Sequence, residues 1–354
     1  MIYDYLLVGH GLAGSILAHT LSAAKNKIMV LDQPKANAAS QVAAGLMNPV
    51  AGKRFAKSWL ADTLVPFATQ FYEAAEQISG NKFFHLKPIL KLFSSVEEQN
   101  TWMGKSAGQP YGEFITEVFT SLPPSEEINQ EQGGIVISKG GYLDVPLFLE
   151  SLRRIRLDNQ EILTKNFRFE ALQIQDFGVQ YEAIKARQII FCEGYQGATN
   201  PFFSWLPFSL NKGEILDIKT DFLPPEYIYN KAVYVLGLGE NQWRIGATYN
   251  WRQVDEQISL EGQNELELKL KSLIKKPFTI THQKAGIRPA VRDRRPLIGT
   301  HPAYPNVKIF NGMGSKGVMM APYLAHHFGR VLRGEEELIS EVNISRYLAL
   351  YQEH

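Results

Sequence analysis

The hydrophobic pattern changes period within the first 32 residues. Residues 3–8 are a short apolar run ending at Gly9, residues 15–25 read as a helix, and residues 27–31 form a second apolar run ending at Asp32. Strand, glycine turn, helix, strand and acid in that order predict one parallel βαβ unit of a nucleotide-binding fold. Residues 34–52 are rich in Ala, Asn, Gly and Ser without a period, which predicts an extended loop. Leu60, Leu64, Phe67, Phe71 and Ala75 then recur at helical spacing and predict a packed helix over residues 60–78. Residues 83–138 read as short strands and turns. Gly140-Gly141-Tyr142-Leu143-Asp144 leads into a further helix with Asp144 as N-cap and Pro146 in the first turn.

Residues 186–192 form a buried-type strand running into Glu193-Gly194, expected to close the nucleotide-binding sheet. Alternating stretches at residues 232–236 and 243–248, followed by a charged amphipathic helix near 261–275, predict an inserted sheet-and-helix lobe. Residues 307–333 return to strand, glycine-rich turn and helix. The expected fold class is therefore α/β, with α+β character in the second lobe. A Rossmann-like domain is assembled from residues 1–80, 139–204 and 286–354, and an antiparallel or mixed-sheet substrate domain from 81–138 and 205–285 is inserted into it.

Composition narrows the class. At 354 residues with 45% hydrophobic and 21% charged positions, the chain is neither disordered nor fibrous. Lys plus Arg number 37 against 36 Asp plus Glu, so no overall field favours nucleic acid or an anionic membrane. No run approaches the ~18 apolar residues of a membrane span, and no basic n-region precedes an apolar stretch at the N-terminus. The single cysteine, Cys192, excludes an internal disulfide framework or a cysteine-rich metal site and fits a reducing compartment, so a cytoplasmic location is expected. Cys192 itself reads as a small buried hydrophobe. His19, His85, His282, His301, His326, His327 and His354 show no metal-ligand spacing, and no metal is expected.

Gly9-His10-Gly11-Leu12-Ala13-Gly14 fits G-x-G-x-x-G, and Asp32 follows Gly14 by 18 residues, where a carboxylate reaches an adenosine ribose. The first glycine permits the tight turn, the second lets a pyrophosphate approach backbone N–H groups, and the third lets helix pack on strand. His10 reads as a solvent-facing residue of the turn, with a catalytic role as the alternative. Gly52-Lys53-Arg54-Phe55-Ala56-Lys57-Ser58-Trp59 reads as a solvated basic face; an entrance for an acidic substrate or an RNA contact is the alternative.

Ser40-Gln41-Val42-Ala43-Ala44-Gly45-Leu46-Met47-Asn48-Pro49 resembles the small-residue loop beside the isoalloxazine in glycine oxidase and related D-amino acid oxidase-like flavoproteins. Ile189-Ile190-Phe191-Cys192-Glu193-Gly194, Ala285-Gly286-Ile287-Arg288-Pro289 and Asn311-Gly312-Met313-Gly314-Ser315-Lys316-Gly317-Val318 follow in that family's order. The chain thus resembles the D-amino acid oxidase-like FAD-dependent oxidoreductases, nearest to glycine oxidase and sarcosine oxidase. The resemblance implies noncovalent FAD, since sarcosine oxidase attaches its flavin through a cysteine near the chain end, where this chain has none. It implies FAD contacts at Gly9, Gly11, Leu12, Ala13, Gly14, Asp32, Gln33, Ser40, Ala43, Ala44, Gly45, Leu46, Phe167, Glu193, Gly194, Gly312, Gly314, Ser315, Lys316, Gly317 and Val318.

The implied reaction is oxidation of a small amine or amino acid by hydride transfer from the α-carbon to flavin N5, with an acceptor such as oxygen re-oxidising the flavin. Arg288 matches the arginine that grips a substrate carboxylate, or else it forms an interlobe ion pair. Tyr234 matches a second carboxylate ligand, or else packs as an ordinary strand tyrosine. Arg244, two residues before Gly246, stands where sarcosine oxidase-like enzymes carry a lysine over the flavin, or else is an exposed strand arginine. Lys316 adds charge at the flavin edge, or else is a solvated turn lysine. The His-Tyr-Arg-Asn turn of glycine oxidase is Met313-Gly314-Ser315-Lys316 here, so substrate identity does not carry over. A 2-hydroxy acid dehydrogenase, a tRNA-modifying oxidase of the same fold, or a flavin-bound scaffold or sensor are the other readings.

Overall fold

The computed structural model describes residues 1–51, 56–106, 111–221 and 225–351. Its first element, β1 (Ile2–Val8), is followed by helix α1 (Leu12–Ala23) and strand β2 (Ile28–Asp32). β1 pairs in parallel with β2 on one side and with Ile184–Phe191 on the other. An internal parallel strand must be apolar on both faces. Accordingly Tyr5 and Leu7 pack with Ile16, Leu17 and Leu21 of α1, whereas Leu6 and Val8 pack with Ile189, Phe191 and Ile309 on the opposite face.

The strand Ile184–Phe191 was expected to close this sheet; it lies at the centre instead. Its first half pairs antiparallel with Gly178–Tyr181, and its second half pairs in parallel with Val307–Asn311. Chain order does not set lateral order, and the C-terminal strand fills the place beyond it. A second large sheet runs Thr279–Arg288, Asn211–Lys219, Gln242–Gly246, Val233–Gly239, Ile228–Lys231, Ile89–Leu92, Gly134–Ile137 and Ile115–Phe119. One face of it packs Leu216, Ile218, Val235 and Ile245 against Leu266 and Leu270 of the helix Leu260–Lys271. The other face looks toward the first sheet.

A three-stranded sheet ties the two together: Gly141–Leu143 pairs with Leu46–Met47 and with Phe84–Leu86. The expected extended loop over residues 34–52 is thereby corrected. It contains the short helix Ala39–Val42 and strands pinned by backbone pairing. The expectation of only strands and turns over residues 83–138 also fails, because Val96–Ser106 is a helix. Its Trp102 is buried while Val96 and Met103 are exposed, so one apolar anchor left no readable period. The helix Ala61–Ser79 forms as expected, but it buries Leu64, Val65, Ala68, Tyr72 and Ala75, and Leu60 lies outside it in the left-handed conformation. Asp144 caps Val145–Asp158 by accepting from the Leu147 N–H at 3.1 Å, as the sequence predicts.

Helix α1 rests directly on β1. A Cβ at Gly14 would lie 2.0 Å from the Gly9 carbonyl oxygen and 3.1 Å from Cys192 Cβ. Gly14→Ala is therefore expected to destabilise the protein by about 1–3 kcal/mol through overpacking. A urea unfolding midpoint shifted to lower concentration with unchanged slope is the expected readout; an unchanged midpoint would contradict this packing.

Candidate functional site

Two helix N-termini open into one cavity. α1 starts at Leu12 with Gly11 as N-cap, and the helix Gly317–Leu332 starts behind Lys316; neither N-cap residue supplies a side-chain hydrogen bond of its own. The first N–H groups of a helix lack intrahelical partners and carry the positive end of its dipole, so both ends favour anionic or electron-rich groups. They abut, since a Cβ at Gly317 would lie 3.0 Å from Leu12. The cavity between them has a volume of about 1660 Å³, against roughly 300–1,000 Å³ for a pocket holding one small ligand. It has room for a dinucleotide and a substrate together.

Gly9, Gly11, Leu12, Ala13, Asp32, Gln33, Ser40, Ala43, Ala44, Gly45 and Leu46 line it from the first βαβ unit and the loop behind, with Phe167, Glu193 and Gly194 opposite. Gly314, Ser315, Lys316, Gly317 and Val318 line it from the last turn, and Tyr234 and Arg288 from the second sheet. Gly14 and Gly312 do not reach the lining; each makes a close backbone approach behind it. At Gly9 the backbone needs φ of +99°, and a Cβ would lie 2.7 Å from the Cys192 carbonyl oxygen, so only glycine serves. Gly45 has φ of +69°, and a Cβ there would lie 1.9 Å from the Leu143 carbonyl oxygen. Ser40 holds the mouth of α1 by accepting from the Leu12 N–H at 3.0 Å.

The acid ending β2 has partners of its own. Asp32 Oδ1 accepts from the His10 N–H at 2.8 Å, and Oδ2 pairs with Arg153 Nη1 at 2.7 Å. Arg153 also lines the cavity, as does Lys165. Sequence reasoning missed both, because each sits in an ordinary polar stretch and meets the site only through β2. His10, expected to face solvent, is buried. Burial, with Arg153 and Arg156 adding to it, pushes its pKa down to about 3, so the ring is neutral. Its Nε2 has no hydrogen-bond partner among the described residues. Glu193 shows the opposite shift. Burial raises its carboxyl to about 7, although the Asn200 side chain donates to it at 2.7 Å. Burial likewise raises the Cys192 thiol.

At the other end Arg288 is held by Nη1, which donates to Asn211 Oδ1 at 2.8 Å and to the Thr248 carbonyl at 3.2 Å. Its guanidinium lies 4.3 Å from the centre of the Tyr249 ring. Gly213 makes the space, since a Cβ there would lie 2.0 Å from Arg288 Nη2. No carboxylate pairs with Arg288 among the described residues, which overturns the interlobe ion pair. Tyr234 lies over Gly246, whose Cβ would meet the phenol oxygen at 2.4 Å, and burial raises its pKa. Arg244 is neither exposed nor on the cavity lining. Its Nε and Nη2 donate to the two Asp217 oxygens at 2.7 and 3.0 Å, so the guanidinium is fixed two residues along the strand from Gly246, on the same face. Lys316 donates to Ser58 Oγ at 3.0 Å, and its pKa is lowered by burial and by Arg295 and Arg294. Lys316 is half-buried, not a solvated turn lysine.

Of the basic stretch, Gly52, Lys53, Arg54 and Phe55 lie outside the described residues; Lys57 pairs with Asp62 at 2.5 Å, and Arg295 stacks over Trp59. Among the described residues no group of three or more His, Cys, Asp or Glu is placed to hold a metal ion. No described helix is long and apolar enough to cross a membrane.

A glycine cradle, two helix N-termini and an acid lining one large cavity fit a dinucleotide such as FAD. The chain belongs to the DAO family of FAD dependent oxidoreductases, whose profile matches residues 4–330, and it binds FAD. It is 22% identical over 349 residues to the tRNA 5-methylaminomethyl-2-thiouridine biosynthesis bifunctional protein MnmC of Marinobacter nauticus, covering 91% of this chain and 54% of that protein. It is 30% identical over 114 residues to glycine oxidase of Bacillus licheniformis, covering 31% of each. The chain thus spans about half the length of the first relative and a third of the second. Its fold is similar to that of iminodiacetate oxidase from Chelativorans sp. BNC1, with a TM-score of 0.81, 21% identity and coverage of 97% of this chain and 98% of that one.

The raised Glu193 pKa fixes the sign of a pH effect. The folded state holds its proton up to about pH 7, above the ordinary value of 4.5, so the stabilisation is complete below 4.5 and lost as pH rises through 7. In cofactor-free protein the loss should total roughly 3 kcal/mol, and Glu193→Gln should flatten the profile between those values. Equal slopes in both proteins, read by urea denaturation across that range, would refute the assignment.

Proposed function

We propose that the chain oxidises the carbon beside the nitrogen of a small amine or amino acid that carries a carboxylate. The observation that carries this reading is Arg288. Its bonds all leave through Nη1, so the Nε and Nη2 edge is unbonded among the described residues and is available to a carboxylate in two parallel hydrogen bonds. The names of the relatives point to compounds with a nitrogen-bearing carbon: glycine, iminodiacetate and a methylaminomethyl-substituted thiouridine. A cytoplasmic setting agrees with a chain that has one cysteine, itself buried.

Bound FAD supplies the oxidant: the substrate gives up two electrons and two protons, and water hydrolyses the resulting imine. The chain's residues bind and orient. Arg288 fixes the carboxylate, and Tyr234, with its phenol kept neutral by burial, offers a second donor. The Gly317–Leu332 helix end and Lys316 present positive potential to the ring edge where charge accumulates. Arg244, held by Asp217, adds a fixed cation beside Gly246 on the same sheet face.

The test is anaerobic reduction of the purified yellow protein by glycine, sarcosine and iminodiacetate, followed as loss of visible flavin absorbance. Reduction by 2-hydroxy acids and by none of the amines would overturn the donor assignment. Arg288→Ala is expected to lower kcat/KM by about thirtyfold or more, as loss of a charged partner costs about 2–5 kcal/mol. Arg288→Lys keeps the charge but not the paired geometry, and should raise KM more than it lowers kcat. A lysine variant with unchanged KM would rule out bidentate binding.

A further inference from the structure

Next to Arg288 the cavity wall carries Tyr249, and Trp251 stacks on it outside the lining. Tyr249 is 50% exposed; Trp251, two residues on, is 61% exposed. The rings stack, with centroids 5.8 Å apart and planes 22° apart, and the Arg288 guanidinium lies 4.3 Å from the Tyr249 ring. Exposed apolar surface of this size beside a binding cavity marks a contact site.

The segment that displays the rings is fixed. Asn250 exchanges two backbone hydrogen bonds with Lys212, at 2.8 and 3.0 Å. Asn250 Oδ1 accepts from the Arg252 and Gln253 N–H groups at 2.9 and 3.0 Å, and Thr248 Oγ1 accepts from the Glu214 N–H at 2.8 Å. A pair of rings held this way loses little freedom when a third planar group is laid on it.

Building on the carboxylate-binding role of Arg288, we infer that the substrate carries a planar aromatic group on its amine, and that the Tyr249–Trp251 pair is the platform on which this group stacks. Tyr249 stacks on the guanidinium that holds the carboxylate, so the platform begins beside that group, and Trp251 carries it outward. Stacking on an aromatic platform is tolerant of ring identity, so a hydrocarbon ring and a pyrimidine base share this chemistry.

The test uses the flavin-loaded protein and carboxylates in which an ether oxygen replaces the amine: methoxyacetate, benzyloxyacetate, cyclohexylmethoxyacetate and (uracil-5-yl)methoxyacetate. Kd is read from the change in the visible flavin spectrum. The two planar ligands should bind about tenfold more tightly than the saturated ring. That preference should vanish in Trp251→Ala and return in Trp251→Phe. A larger gain for the benzyl or for the uracil ligand tells which kind of ring the site takes. No planar preference in the unaltered protein, or the same preference in Trp251→Ala, overturns the inference. In parallel, N-benzylglycine is tested as a reductant of the flavin. A planar preference without reduction by any N-substituted glycine would count against the amine-oxidation reading and leave the platform standing.

Discussion

The close approach of α1 to β1 is the constraint on which the rest of the site depends. A helix can touch the backbone beneath it only where it has no side chain at the contact; Gly14 lets α1 rest on the Gly9 carbonyl, and Gly9 in turn lets the turn lie against the Cys192 carbonyl. The second helix N-terminus is brought alongside at Gly317, against Leu12. Two positive helix ends then share one cavity, an arrangement costly to leave unsatisfied and favourable once an anionic, electron-accepting group lies between them. β1 could not hold this position at a sheet edge. It is central because both of its faces are apolar and both are covered.

The second sheet supplies what the nucleotide fold lacks. Its cavity-side face is built by side-chain omission as much as by side chains: Gly213 makes room for Arg288, and Gly246 makes room for Tyr234. Next to them on the same face the Arg244–Asp217 pair is nearly closed off from water, with side chains 14% and 13% exposed. A buried pair of this kind stabilises little beyond its own desolvation cost, but it fixes a charge in place. The same division holds at the far end. There Asp32 is oriented by the His10 N–H and Arg153, and the neutral His10 ring fills the space behind the turn.

The charges around the cavity are sorted by position. Arg288 keeps one guanidinium edge unbonded among the described residues, Lys316 is held against Ser58 near other cations, and Glu193 is driven toward its protonated form. At Lys316 and Glu193 burial is the largest cause of the shift, reinforced by Arg295 and Arg294 at the lysine and opposed by the Asn200 hydrogen bond at the glutamate. Together they make one end of the cavity a receptor for negative charge and leave the crevice near Glu193 close to neutral.

The sequence by itself determined the local grammar. Gly9, Gly11, Gly14 and Asp32 announce a dinucleotide-binding turn by their spacing: Gly9 takes a positive φ, Gly14 leaves no room for a side chain where helix meets turn, and Asp32 ends the second strand in a carboxylate. Asp144 and Pro146 announce a helix start for the same local reason. Arg288 was legible because its Gly-Ile-Arg-Pro neighbourhood resembles a known pattern. Tertiary structure decided what depends on distant partners. The central place of Ile184–Phe191 was set by which strands arrived beside it, and the helix Val96–Ser106 by one buried tryptophan. His10 looked like a solvated turn residue until the strands closed over it. Arg153, Gly213 and the Tyr249–Trp251 pair carry no local signal at all, since burial, close approach and stacking are properties of a pair of surfaces, and only folding brings the second surface.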